Sequence, residues 1–96
     1  MAALRRPAAV LERRDPDLAR QLRRAASGVA LGISEARLRA GRDRTHLFRI
    51  AAGSAAEVGT ALALAEAWGH LERASIEEAV DLLDRVRAML WRLART

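Results

Sequence analysis

Chemistry in this sequence begins with arginine. All 17 basic residues are Arg, none is Lys, and there are two His and no Cys. A guanidinium stays charged throughout the physiological range and offers a planar fork of donors suited to phosphate. Ten of the arginines fall within the first 42 residues: Arg5, Arg6, Arg13, Arg14, Arg20, Arg23, Arg24, Arg37, Arg39 and Arg42. Residues 1–49 carry a net charge of +7, and residues 50–96 carry −2. Such asymmetry points to an anionic partner for the first half. The plainer alternative is a set of solvated helix faces in a chain that uses Arg for every cation.

Other reactive chemistry is sparse. His46 and His70 stand apart in sequence, and neither has another His or a Cys nearby. With no thiol, a disulfide framework and a zinc-thiolate site are excluded, no metal or cofactor is expected, and a reducing cytoplasm is the simplest compartment. No phosphate-binding glycine loop, H-E-x-x-H or G-x-S-x-G motif occurs. Catalysis by a helical bundle of the chorismate-mutase kind would need a lysine beside inward-facing arginines, and the chain has no lysine. Glu57 lies at the edge of an otherwise uncharged face. It is expected to make a structural ion pair, with Arg23 or Arg87, that fixes helix register rather than to act in catalysis.

The elements that must position these groups are helices. Leu47–Trp68 reads as one helix, with Leu47, Ile50, Ala51, Ser54, Val58, Ala61, Leu62, Ala65 and Trp68 on one face. The opposite face holds Ala52, Ala56, Gly59, Ala63 and Ala67, all small and uncharged. A helix apolar or small all round is buried on more than one side, so this one is expected at the centre of a bundle. Ala52, Ala56, Gly59 and Ala63 are then candidates for a contact between subunits. The run is too rich in Ala and too interrupted by charge to be expected to span a membrane.

Before it, Asp15-Pro16-Asp17 supplies an N-cap, a first-turn proline and an acid at the positive end of a helix expected to run to Ala40. The core stripe of that helix is Leu18, Leu22, Ala25, Ala26, Val29, Ile33 and Ala36. Leu31 and Leu38 lie seven apart on its outer face, either as ordinary exposed leucines or, the favoured reading, as a partner or subunit contact. Gly28 and Gly32 imply another backbone passing close, or else a local break at Ser27-Gly28. Residues 1–14 form a short first helix with Pro7 near its start. Asp43 is expected to cap the third helix and Gly69 to end it. Ser75-Ile76-Glu77-Glu78 has the form of a capping box for a fourth helix ending near Ala94. Short connections between long helices give one all-α domain over residues 1–96: an antiparallel, up-down-up-down four-helix bundle with a short first helix. The 51% hydrophobic content includes 22 alanines, so the core is thin and assembly with other copies would strengthen it.

The segments Gln21-Leu22-Arg23-Arg24-Ala25-Ala26 and Phe48-Arg49-Ile50-Ala51-Ala52-Gly53-Ser54-Ala55-Ala56-Glu57, followed by Trp68-Gly69-His70-Leu71, carry a resemblance. Over about Asp17 to Ala94, the chain resembles the bacterial four-helix-bundle family named for proteins encoded in 23S rRNA intervening sequences. That family is similar to the accessory variability determinant of diversity-generating retroelements. Where the family usually has an N-I-A-E-G-like segment, this chain has Gly32-Ile33-Ser34-Glu35-Ala36. The resemblance implies a noncatalytic homopentamer. Through the accessory determinant it also implies a basic surface that binds nucleic acid and a reverse transcriptase. Two function classes fit: an oligomeric binding module for RNA or DNA that uses the ten arginines, or a structural bundle with a protein-interaction face at Leu31 and Leu38.

Overall fold

A computed structural model describes residues 2–95. A single 3-10 turn, Ala2–Leu4, leads into α1 (Arg5–Arg14), α2 (Pro16–Ala36), α3 (Gly41–Ala67) and α4 (Arg73–Arg95), and no strand occurs among the described residues. The connections are one, four and five residues long. Helices α2 and α3 run in opposite senses: Gly28 of α2 faces Ser54 of α3, and Gly32, one turn on, faces Ala51. The 27 residues of α3 would span roughly 40 Å at helical rise, and they set the 43 Å long axis of the molecule.

Local signals account for most of the helix ends. The Asp15 carboxylate accepts from the Leu18 N–H at 3.0 Å, and Pro16 takes the first helical position of α2. At the end of α3, Gly69 adopts φ +75°. The Gly69 N–H donates to the Glu66 carbonyl and the His70 N–H to the Ala65 carbonyl, at 3.0 and 2.9 Å. That pair of bonds is a Schellman closure, and glycine adopts its left-handed residue cheaply. Pro7 lies in the first turn of α1, where its missing N–H costs nothing.

Three boundaries differ from the sequence expectation. Helix α2 stops at Ala36 rather than Ala40, because its buried stripe ends there. The Leu38 and Arg39 N–H groups then donate to the Glu35 and Ala36 carbonyls in a tightened turn. Helix α3 already begins at Gly41, so Asp43 sits in its first turn, where a carboxylate complements the positive end of the helix without capping it. Helix α4 begins at Arg73, and the Ser75 hydroxyl donates to the Glu72 carbonyl at 2.7 Å instead of opening the helix at Ile76.

The core is wholly apolar: among the described residues no polar or charged residue is buried. Its largest fully enclosed side chains are Leu11, Leu22, Val58, Leu62, Ile76 and Leu90, contributed by all four helices. Helix α3 lies between α2 and α4, which supply most of its long-range contacts. Its buried seam is Phe48, Ala51, Ala55, Val58, Leu62 and Ala65, at alternating spacings of three and four, with Ala61 beside it. That seam corrects the expected face. Phe48 and Ala55 are in, whereas Ile50 is 48% exposed and Trp68, beyond the last helical residue, is 59% exposed. Helix α3 also has an exposed strip: Ile50, Gly53, Glu57, Thr60 and Leu64. By length and composition alone α3 could cross a membrane; in this fold it occupies the place of a core helix.

The two glycines inside α2 have a packing reason. A methyl group added at Gly32 would lie 3.0 Å from the Ala51 Cβ, and one at Gly28 would lie 2.7 Å from the Ser54 Oγ. Helix α2 is continuous through both, and α3 crosses it at that point.

Candidate nucleic-acid interface

The structure divides the ten candidate arginines. All ten are exposed. Arg20, Arg23 and Arg24 repeat along one face of α2 and, with Glu12, Pro16, Ala19 and Ser27, line an open cleft of about 700 Å³ between α1 and α2. Arg37, Arg39 and Arg42 sit at the turn between α2 and α3. The thirteen residues from Arg24 to Arg37 correspond to roughly 20 Å at helical rise, so these are two clusters and not one patch. Arg5 and Arg6 form a third group, beside Leu71, Ser75 and Glu78.

Charge pairing thins the first cluster. Arg20 is paired with Asp17, and Arg23 with Glu12 across the α1–α2 boundary. Both pairs are solvent-exposed, so they contribute little stability. Arg14 reaches the Gly69 carbonyl at 3.3 Å, linking the first and last turns of the chain at one end of the bundle. At the same end, His70 Nε2 lies 3.6 Å from the Asp15 carboxylate. Among the described residues, Arg5, Arg6, Arg13, Arg14, Arg24, Arg37, Arg39 and Arg42 have no ion-pair partner.

The expected Glu57 pair does not form within the described chain. Glu57 is exposed on the strip of α3, Arg23 is held by Glu12, and Arg87 lies in the groove between α3 and α4. The candidate contact residues also separate. Leu31 on α2 and Leu38 just after it stand 62% and 85% exposed. Ala52, Ala56 and Gly59 are half-buried and only Ala63 is exposed, because α4 packs over this side of α3. A methyl group on Gly59 would meet Leu83 Cδ2 at 3.3 Å. Small residues therefore let α4 approach, and they form the floor of the α3–α4 groove.

That groove holds a group that the sequence reading passed over. Arg49 and Ala52 of α3, with Asp84, Arg87, Trp91 and Arg95 of α4, line an open volume of about 880 Å³. The signal was visible in the spacing: Arg87, Trp91 and Arg95 recur every four residues and so share a helix face. Among the described residues no group of three or more His, Asp or Glu is placed to hold a metal ion.

The described residues form an elongated all-α bundle with an apolar core and its arginines held outward. The sequence profile of the 23S rRNA-intervening sequence protein family matches residues 8–92, and the chain belongs to that family. Among curated proteins and solved structures, none matches this chain.

Proposed function

We propose that the protein is a noncatalytic, self-associating helical bundle that binds nucleic acid through its arginine surface. The observation that carries this reading is the set of eight exposed arginines that, among the described residues, have no acid partner: four on α1, Arg24 on α2, and three at the α2–α3 turn. Phosphate is the ligand such a surface suits, since positioning contacts from Arg dominate nonspecific binding. Few aromatics are available, so sequence readout would be poor. Family membership and the QLRRAA and AAGSAAE segments support a nucleic-acid setting. The resemblance alone suggests a reverse transcriptase as protein partner, and a homopentamer as the assembly.

Filter binding of mixed RNA and DNA across a salt series tests the reading. Retention at low salt should fall linearly on a log–log plot, with a slope of about 0.7 to 0.9 per neutralised phosphate. No retention at low salt would leave the alternative, a protein-interaction bundle. That alternative is favoured by one observation: Leu31 and Leu38, bare on and just after α2.

A further inference from the structure

Trp91 sits in the α3–α4 groove, 62% exposed, with the Arg95 guanidinium 5.2 Å from the centre of its ring. Arg49 approaches from α3, and Arg87 lies one turn back along α4. Asp84 is the only acid among the lining residues, so three cations face one anion. The second half of the chain is net acidic, and this groove is cationic within it. The acids of α4 all precede Arg85, and every charged residue after Asp84 is an arginine.

A helix C-terminus favours cations on its own account, and that would explain Arg92 and Arg95. It explains neither a largely exposed indole beside them nor Arg49, which comes from the other helix. An exposed aromatic among guanidinium groups suits a planar, anionic ligand. The ring supplies a stacking surface that tolerates any base, and the arginines supply phosphate contacts and a second planar face. The groove volume is in the range of small-molecule clefts, about 300 to 1,000 Å³. Duplex DNA keeps its bases stacked inside and offers this indole nothing to cover.

We propose that Arg49, Arg87, Trp91 and Arg95 form a binding site for single-stranded nucleic acid, in which an unstacked base lies on the Trp91 ring and the flanking phosphates meet the arginines. The site rests on the nucleic-acid reading above and adds a strand preference to it. It is separate from the α1–α2 cleft, which has arginines but no aromatic ring.

The test uses the full chain with Trp68→Phe, leaving Trp91 as the sole indole. An oligothymidylate of about ten nucleotides, within the site sizes of single-strand binders, is titrated against its fluorescence. Saturable quenching is expected. Trp91→Ala should weaken the oligonucleotide by about 5- to 100-fold, the range that one stacked base commands, while Trp91→Phe retains most of the affinity. Duplex binding should be unchanged in both. Circular dichroism confirms that each variant stays helical, as expected for an exposed position. Filter retention with no quenching, or retention of the single strand unaffected by Trp91→Ala, would overturn this site and leave the wider reading standing. No retention of any nucleic acid by the parent chain would overturn both. A fall in solution mass with Trp91→Ala, and no change in strand affinity, would mean that a second copy covers the indole, and would also overturn the site.

Discussion

At Gly32 and Gly53 the same substitution should have opposite signs. Both glycines lie inside helices, where Ala is favoured over Gly by about 1 kcal/mol. At Gly53 an added methyl meets nothing within 4 Å. Gly53→Ala should therefore stabilise the protein by about 0.5–1 kcal/mol. At Gly32 the methyl would meet Ala51 at 3.0 Å from its Cβ and 3.4 Å from its Cα. Backbone cannot rotate away as a long side chain can. Gly32→Ala should force α2 from α3 and cost about 1–3 kcal/mol despite the gain in propensity. Paired thermal melts decide it: Gly53→Ala melting higher and Gly32→Ala lower, by several degrees each. A Gly32→Ala protein that melts above the parent would refute the close crossing. That a backbone passes near Gly28 and Gly32 was legible in the sequence, because two glycines four apart in a helix have few other uses. Which residues they meet was not, since Ser54 and Ala51 are far away along the chain.

Helix ends divide in the same manner. The Asp15-Pro16 start and the Gly69 stop were legible, because each is a residue type with one good conformational use. Asp15→Ala removes the bond to the Leu18 N–H and should cost about 1 kcal/mol, whereas Asp15→Asn keeps an acceptor there and should cost less. Gly69→Ala holds a Cβ at a left-handed φ and should cost about 1–2 kcal/mol. Chemical denaturation of the three variants checks the order: Asn at 15 nearest to the parent, the other two clearly below it. Equal midpoints for Asp15→Ala and the parent would remove Asp15 as the cap. The phase of α3 was harder to read. With Ala at eight of its 27 positions, apolar residues mark direction weakly, and a shift of one residue exchanges Leu47 for Phe48. Tertiary packing decided it, since the only phenylalanine is drawn fully into the seam. The small residues of α3 were legible as a close-contact surface. That α4 of the same chain takes much of that surface was not.

On the scale of the whole molecule, the charge imbalance between the two halves was legible, and its geometry was not. A linear count cannot show that a helix of 21 residues carries Arg20–Arg24 and Arg37–Arg42 to opposite ends, or that Asp17 and Glu12 engage two of them. Each chain therefore presents small, separated clusters, each able to hold only a few phosphates. Under the proposed function, strong binding depends on several copies acting together, because linked sites gain from effective concentration without any new contact. The exposed leucines on and just after α2 are the surface on which that assembly should depend, with Leu38 the most open large apolar residue among the described residues. Leu31→Ser with Leu38→Ser removes that surface and leaves every arginine in place. Light scattering should give the parent a multiple of 10.5 kDa and the double variant a mass near 10.5 kDa. Affinity for a long mixed-sequence RNA should then fall by about 100-fold or more, with a shallower salt dependence, although the charge per chain is unchanged. A double variant that keeps the parent's mass would move the contact away from these leucines. One that becomes monomeric yet binds RNA as tightly as before would show that a single protomer's arginines suffice.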